Sequence, residues 1–152
     1  MSQNMRSSTP LTRQYLLDTT IVAGYLLGKP TAFKLAHAWV ESNEAATSIL
    51  VYAEVCEYLK SFPDASERLV ALRTLLEKVY PYPLTYSSTE QYAEIRRTMR
   101  RSPQGSGLIG DIDTLIAATA LDNGLTVVTA DNHFMRVPNL SVMCIPRTTL
   151  KG

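Results

Sequence analysis

The segment from Ile112 to Thr129 constrains the fold of this chain more than any other part of it. Residues 112–121 are mostly apolar, which predicts a buried helix, and Asn123-Gly124 supplies a helix stop. Residues 125–129 are all apolar or β-branched, which is typical of a strand buried on both faces. Strands of this kind belong to parallel sheets, so the segment predicts a parallel sheet covered by helices.

The rest of the chain repeats this alternation of short apolar runs and helical patterns, which favours an α/β fold with helices on both faces of the sheet. In such sheets the ligand site lies beyond the carboxyl ends of the strands. We expect strands at residues 15–17, 45–47, 82–84, 125–129 and 141–145, and helices at 21–27, 31–41, 48–59, 66–79, 89–100 and 112–121. We expect Thr19 or Thr20 to cap the first helix, and Ser87 with Glu90 to form a capping box on the fifth.

Length and composition fit one ordinary domain. The chain has 152 residues, of which 45% are apolar and 19% charged. We expect residues 1–13, which are polar, to form a flexible tail before a domain spanning residues 14–150. No apolar run is long enough for a membrane span, and the tail lacks the apolar core of a signal peptide, so we expect a cytoplasmic protein. Cys56 and Cys144 lie far apart and are expected to be buried apolar residues, not zinc ligands.

Four acids fall at one edge of the predicted sheet: Asp18, Glu54, Asp113 and Asp131. Each follows a strand or lies near the start of a helix. Carboxylates that converge repel one another, so a site built from them usually holds a divalent cation. The net charge of +1 does not by itself indicate nucleic-acid binding. Neutralising the four acids with metal would leave a modest basic excess, which is compatible with a phosphate-rich substrate.

Each acid also has an ordinary structural role that the sequence leaves open. Asp18 and Asp131 suit a cap or a turn, and Asp111 or Asp113 suits the first turn of the apolar helix. Glu54 suits a solvated flank, and Glu57, one turn further on, is a rival candidate for the site. The joint placement of the four acids at one sheet edge is what favours a metal-dependent nuclease.

The residues around these acids resemble PIN-domain nucleases, and most closely the VapC-like ribonuclease toxins of toxin–antitoxin pairs. The likeness covers roughly residues 14–146. Its most specific part is the third acid followed by Ile116-Ala117-Ala118 and then Gly124-Leu125-Thr126-Val127-Val128-Thr129-Ala130-Asp131; weaker pieces are Leu16-Leu17-Asp18-Thr19, Thr47-Ser48 with Glu54 six positions after the serine, His133-Phe134, and Val137-Pro138.

The resemblance implies a three-layer α/β/α sandwich with a short parallel sheet. It also implies one or two Mg²⁺ or Mn²⁺ ions, endonucleolytic RNA cleavage, a homodimer, and a small antitoxin that inserts into the active site. By motif, Asp18, Glu54, Asp113 and Asp131 match the family's acids, Asp111 matches an accessory metal position, and Thr19 resembles the hydroxyl beside the first acid. The chain departs from the family in its glycine-rich loop at 102–107 and in His133, which stands where many relatives have an acid.

Substrate contacts are expected from a basic block just before the glycine-rich loop, formed by Arg96, Arg97, Arg100 and Arg101. The alternative for this block is a solvated helix end. His133 is a further candidate for phosphate contact, whereas His37 is expected to be structural. Tyr80, Tyr82, Tyr86 and Tyr92 suit base stacking or simple packing.

Three other functions are compatible with parts of the pattern. An RNA-processing nuclease of the same fold would differ from a toxin by lacking a neighbouring antitoxin gene. A catalytically silent nucleic-acid-binding module would keep the basic block and bind no metal. A phosphatase or receiver-type protein would use Asp18 as a covalent acceptor and would need a lysine near a late strand end, which the sequence does not offer.

Overall fold

Five parallel strands form one sheet in the order β3-β2-β1-β4-β5. The structure is a computed structural model and describes residues 13–101 and 107–150. The strands are β1 (Tyr15–Leu17), β2 (Ala45–Ser48), β3 (Tyr80–Tyr82), β4 (Thr126–Thr129) and β5 (Val142–Cys144), and the helices are α1 (Thr19–Leu26), α2 (Pro30–Glu41), α3 (Ile49–Leu59), α4 (Ala65–Leu75), α5 (Tyr86–Arg100), α6 (Asp111–Asn123) and α7 (Arg147–Leu150), with a 3₁₀ helix at Asn132–Arg136.

The central strand β1 lies between β2 and β4, with Leu16 opposite Ala46 on one side and Val127 on the other. From β1 the chain builds outward to β3, and then crosses back to place β4 on the opposite side of β1. The strand order therefore reverses between β1 and β4, where α/β sheets open a crevice at their carboxyl ends. Asp18 follows β1 and Asp131 follows β4, so both acids lie at this crevice.

Buried apolar side chains explain why the elements take these positions. Leu16 and Val127, in the two central strands, are fully buried, as expected for strands covered on both faces. Helix α6 buries Ile116 together with Ala117 and Ala118, and the small alanine side chains let it pack closely. Helix α5 packs on α6, and α1 packs on α2. The predicted parallel sheet with flanking helices is confirmed.

Several predicted boundaries were wrong because caps depend on local hydrogen bonds. Helix α5 begins at Tyr86, since Thr85 and Ser88 form the capping box in place of Ser87 and Glu90. The Thr85 hydroxyl accepts from the Ser88 N–H at 3.0 Å, and the Ser88 hydroxyl accepts from the Thr85 N–H at 2.8 Å. Ser87 instead donates a hydrogen bond to Asp122. Similarly, Asp18 occupies the cap position of α1 that was expected for Thr19 or Thr20.

Arg13, the first of the described residues, is fixed by hydrogen bonds to the backbone. Its guanidinium donates to the carbonyls of Ala45, at 2.8 Å, and Lys78, at 2.5 Å, and the residue is only 7% exposed. The expected tail therefore does not include Arg13, and its residues 1–12 lie outside the described residues. The same is true of residues 102–106 of the glycine-rich loop. Cys56 and Cys144 are free thiols, half-buried where full burial was expected.

Among the described residues, none of the helices is both long enough and apolar enough to cross a bilayer.

Candidate metal centre

Asp18 is held between the two central strands. Its N–H donates to the Val128 carbonyl at 2.9 Å, and its Oδ2 accepts from the Thr129 hydroxyl at 2.7 Å. Although Asp18 occupies the cap position of α1, its side chain makes no capping hydrogen bond. The Asp18 carboxylate is therefore not a simple helix cap, which was one of the alternatives that the sequence left open.

Burial raises the pKa of Asp18 above its ordinary value. The residue is 7% exposed, and loss of water disfavours the charged form. Hydrogen bonds from Thr129 and from the backbone of Thr19 act in the opposite direction, while the charges of Glu54 and Asp131 raise the pKa further. A buried carboxylate with two acidic neighbours is stabilised by a cation.

Glu54 lies on α3, near enough to Asp18 for its charge to raise the pKa of that residue. Ser48 caps this helix by accepting from the Leu50 N–H at 3.0 Å. The Thr19 hydroxyl donates a hydrogen bond to the Glu54 carboxylate, which links α1 to α3 beside Asp18. The rival candidate Glu57 is exposed, and its charge is not among those that shift the pKa values of Asp18 and Asp113.

Asp113 approaches from the first turn of α6. Gly110 occupies the cap position of this helix, so neither Asp111 nor Asp113 is its N-cap. Burial raises the pKa of Asp113 to about 6, and the charges of Asp18, Asp131 and Glu54 add to the effect. His133 opposes the shift. The structure therefore brings together the four acids that the sequence singled out.

Asp131 both caps the 3₁₀ helix and faces the other acids. Its Oδ1 accepts from the His133 N–H at 2.9 Å and lies 3.2 Å from Nδ1 of the same histidine. One potential ligand atom from each of Asp113, Asp131 and His133 lies within 4.8 Å of the other two. His133, expected only as a substrate contact, is thus also placed among the potential cation ligands.

Thr129 is a residue of this site that the sequence reasoning missed. Its buried hydroxyl donates to Asp18 and accepts from the Asp131 N–H at 2.9 Å, so one side chain joins the acids that follow β1 and β4. A signal was present in the sequence. A hydroxyl at the end of a fully buried strand needs a hydrogen-bond partner, and the nearest polar residue in the chain is Asp131.

Asp111 does not join the cluster, in contrast to its expected place among the metal ligands. Its exposed carboxylate accepts from Arg96 Nη1 at 2.8 Å and from the Tyr92 hydroxyl at 3.1 Å, both on α5. Its charge is also absent from the effects that shift the pKa values of Asp18 and Asp113. Two residues of α6 therefore face different surroundings, which a motif alone does not distinguish.

The four arginines of the basic block also differ in their surroundings. Arg96 is held by Asp111, with a side chain that is 22% exposed. Arg97, Arg100 and Arg101 are exposed at the end of α5, where Arg101 Nε donates to the Arg97 carbonyl at 3.3 Å. His37 has the structural role expected of it, since its Nδ1 is 2.8 Å from the Tyr25 hydroxyl and its ring stacks on Phe33.

The donor set fits a hard divalent cation. Asp113 and Asp131 offer carboxylate oxygens, the ligand type that Mg²⁺ and Mn²⁺ prefer, within reach of one ion. The carboxylates of Asp18 and Glu54 lie near enough for their charges to raise the pKa of Asp113, and hydroxyls from Thr129 and Thr19 fix these two carboxylates in place. Mg²⁺ keeps several of its waters, so a few protein oxygens suffice to bind it. An isolated cluster of this kind without a cation would carry uncompensated repulsion.

Comparison with known proteins agrees with this architecture. The model of the PIN domain family matches residues 15–140. A chain of VapBC2 from Rickettsia felis, solved with a DNA fragment from its promoter, superposes with a TM-score of 0.72 at 25% identity, covering 86% of this chain and 97% of that one. DNA-bound VapBC from Salmonella typhimurium gives a TM-score of 0.74 at 18% identity, covering 87% of this chain and 98% of that one.

FitAcB from Neisseria gonorrhoeae is similar in the same way, with a TM-score of 0.68 at 20% identity over 86% of this chain and 96% of that one. No protein with a curated description gives a significant sequence match. The resemblance to PIN domains and the α/β/α architecture predicted from the sequence are confirmed. The family model covers most of the chain, so the chain belongs to the PIN domain family.

Proposed function

We propose that this protein is a Mg²⁺-dependent endoribonuclease and the toxin of a toxin–antitoxin pair. The observation that carries the proposal is the convergence of Asp18, Glu54, Asp113 and Asp131 at the crevice between β1 and β4. Membership of the PIN domain family supports a nuclease activity. Mn²⁺ has the same preference for oxygen ligands and is expected to substitute for Mg²⁺.

In this proposal Asp18 and Asp113 are the principal cation ligands, directly or through water, and Glu54 and Asp131 complete the site or orient the attacking water. A bound divalent cation lowers the pKa of its water and withdraws charge from a non-bridging phosphoryl oxygen. The protein's own contribution is positioning. Thr129 fixes the Asp18 carboxylate, and Thr19 fixes Glu54. His133, beside Asp131, lies where it can donate to a phosphate oxygen.

The antitoxin partner is proposed from the related structures. The similar structures from Rickettsia felis and Salmonella typhimurium are of VapBC2 and VapBC, each bound to DNA. We propose that a small antitoxin binds this chain, blocks the acid cluster, and acts on a homodimer in the cytoplasm. Co-expression supplies the test. The product of a gene next to this one should restore growth to cells arrested by this chain.

Metal removal should abolish the activity. We expect the purified protein to cleave total cellular RNA in Mg²⁺ or Mn²⁺ and to leave it intact in EDTA, because the proposed nucleophile is a water activated by the cation. Gel electrophoresis of the RNA, with end mapping of the products, measures both rate and cut site. Added Mg²⁺ in excess of EDTA should restore cleavage. Cleavage that persists in EDTA would contradict the proposal, and metal-independent binding without cleavage would favour the silent binding module.

Thr129→Val should weaken metal binding without removing a ligand. The substitution keeps the shape of the side chain but deletes the donor to Asp18 and the acceptor for the Asp131 N–H. We expect Mn²⁺ affinity to fall about 10- to 100-fold, as for other losses of a group that orients a ligand. Calorimetric titration with Mn²⁺ measures this change.

Thr126→Val is the matched control, because Thr126 lies in the same strand and bonds Ser141 at the surface, away from the acids. It should leave Mn²⁺ affinity unchanged. Equal Mn²⁺ affinities for Thr129→Val and the unmodified protein would show that Thr129 does not orient Asp18.

A further inference from the structure

The first turn of α6 presents two carboxylates to different sides of the helix. Asp113 is influenced by the charges of Asp18, Glu54 and Asp131. Asp111 lies two residues earlier, which corresponds to about 200° around a helix. Its carboxylate therefore turns away from the acids and contacts α5. The first turn of α6 therefore contributes one carboxylate to the candidate metal centre and another to a second polar site beside α5.

That second site consists of Tyr92, Arg96 and Asp111. Asp111 Oδ1 accepts from Arg96 Nη1 at 2.8 Å and from the Tyr92 hydroxyl at 3.1 Å. The Arg96 guanidinium carbon lies 5.5 Å from the centroid of the Tyr92 ring. An ion pair on one side and an aromatic ring on the other restrict the guanidinium. Within the part of the chain that the structure describes, neither Arg97 nor Arg100 has such an ion pair.

The held guanidinium still has most of its hydrogen-bonding capacity. Arginine carries five N–H donors, and Asp111 accepts from Nη1 alone. Asp111 is exposed, with 69% of its side chain accessible, so water screens its charge and a second anion can share Arg96 at small cost. The planar fork of arginine matches the oxygens of a phosphate, and a restricted side chain loses less entropy on binding one.

We propose that Arg96 binds an RNA backbone phosphate that flanks the scissile one, and that Asp111 is the positioning residue that holds Arg96 for this contact. The inference rests on the proposed ribonuclease function and deepens it. Asp113 acts at the cleaved phosphodiester. Asp111, on the other side of α6, acts through Arg96 on the adjacent phosphate of the RNA. A contact of this kind fixes the register of the strand over the acids and reads no base.

RNA binding without metal tests the role of Arg96. The probe is a short, fluorescently labelled RNA pool of random sequence, titrated in EDTA at several NaCl concentrations and followed by anisotropy. Arg96→Gln should weaken binding about tenfold, as expected for a charge-assisted phosphate contact. It should also make the slope of log K against log[salt] shallower by about 0.7, the value for one phosphate contact on a single strand.

Arg100→Gln is the matched control, since it removes the same charge one turn further along α5, where the side chain is exposed. It should weaken binding by less than about threefold, as the loss of a general charge attraction does. Equal losses for Arg96→Gln and Arg100→Gln, or no loss for either, would overturn the assignment of Arg96.

A double-mutant cycle tests the role of Asp111. In the Asp111→Ala background, Arg96→Gln should weaken RNA binding by less than about threefold, because the guanidinium is no longer held. Asp111→Ala alone should leave Mn²⁺ affinity unchanged in a calorimetric titration. Weaker Mn²⁺ binding, together with an undiminished effect of Arg96→Gln, would make Asp111 a metal ligand and overturn its positioning role.

Steady-state cleavage of RNA in Mg²⁺ separates this inference from the function on which it rests. Arg96→Gln should raise KM about tenfold and leave kcat within about twofold, because the contact binds ground state and transition state alike. Absence of cleavage by the unmodified protein would refute the nuclease function itself. Cleavage by the unmodified protein with an unchanged KM for Arg96→Gln would refute only the flanking-phosphate contact.

Discussion

Asp113→Asn is expected to abolish Mg²⁺-dependent RNA cleavage, with a fall in rate of about 10³-fold or more. The substitution removes one of the two carboxylates proposed as principal cation ligands, and a bound cation contributes several kcal/mol to stabilising charge in the transition state. Asparagine is nearly isosteric with aspartate, so packing around α6 should not change. The rate is measured on total cellular RNA in Mg²⁺.

The same substitution should stabilise the metal-free protein at alkaline pH. The folded-state pKa of Asp113 is about 6 against an ordinary value of 3.8, so the folded state binds the proton more tightly than the unfolded state. The stability that this group contributes is present at low pH and is lost as the pH rises from about 4 to about 6. Asparagine does not titrate and so avoids that loss.

The full shift corresponds to about 3 kcal/mol, and partial exposure to solvent reduces this to about 1–2 kcal/mol. The helix dipole favours a negative charge in the first turn by less than about 1 kcal/mol, so the sign of the effect holds. Urea unfolding in EDTA at pH 8 and pH 4 measures it, with Asp122→Asn near the other end of α6 as control. Retained cleavage, or lower stability than the unmodified protein at pH 8, would contradict the account of Asp113.

Phe134→Ala should lower the free energy of unfolding by about 3–5 kcal/mol, the largest loss of stability expected among the proposed variants. Phe134 is fully buried, and it anchors the 3₁₀ helix that follows Asp131. Removing the ring leaves a cavity under this helix, and the backbone that carries Asp131 and His133 loses its main apolar contact. Urea unfolding gives the change in free energy, and Mn²⁺ titration reports the effect on the site.

Two further variants make the result interpretable. Met135→Ala changes the next residue, which is 63% exposed, and should alter stability by less than about 0.5 kcal/mol. Phe134→Leu retains most of the apolar volume and should cost about 1–1.5 kcal/mol, so it remains measurable if Phe134→Ala does not fold. A loss below about 1 kcal/mol for Phe134→Ala would show that the 3₁₀ helix does not depend on this ring.

Features set by local pattern were predictable from the sequence. The apolar runs that form β1 and β4 favour strands covered on both faces, and the ends of these strands then place Asp18 and Asp131 at one edge of the sheet. The family resemblance rested on those same residues. The helix predicted at residues 48–59 was recognised from its apolar pattern, and α3 spans Ile49–Leu59.

Features set by tertiary contacts were not predictable in this way. The direction in which Asp111 faces depends on the packing of α5 against α6. In the sequence alone, Asp111 and Asp113 look equivalent. The bridging role of Thr129 appears only when β1 and β4 pair. The capping box shifted to Thr85 and Ser88 because neighbouring hydroxyls compete for the same N–H groups, and Ser87 bonds Asp122 instead.

The central claim is that acids from distant parts of the chain meet in order to bind a divalent cation. Anomalous scattering from crystals soaked in Mn²⁺ tests it most directly, because the ion is located without reference to activity. The account predicts an anomalous peak between the carboxylates of Asp18 and Asp113, with Asp131 alongside. Crystals that bind Mn²⁺ elsewhere, or show no peak between these two carboxylates, would contradict it.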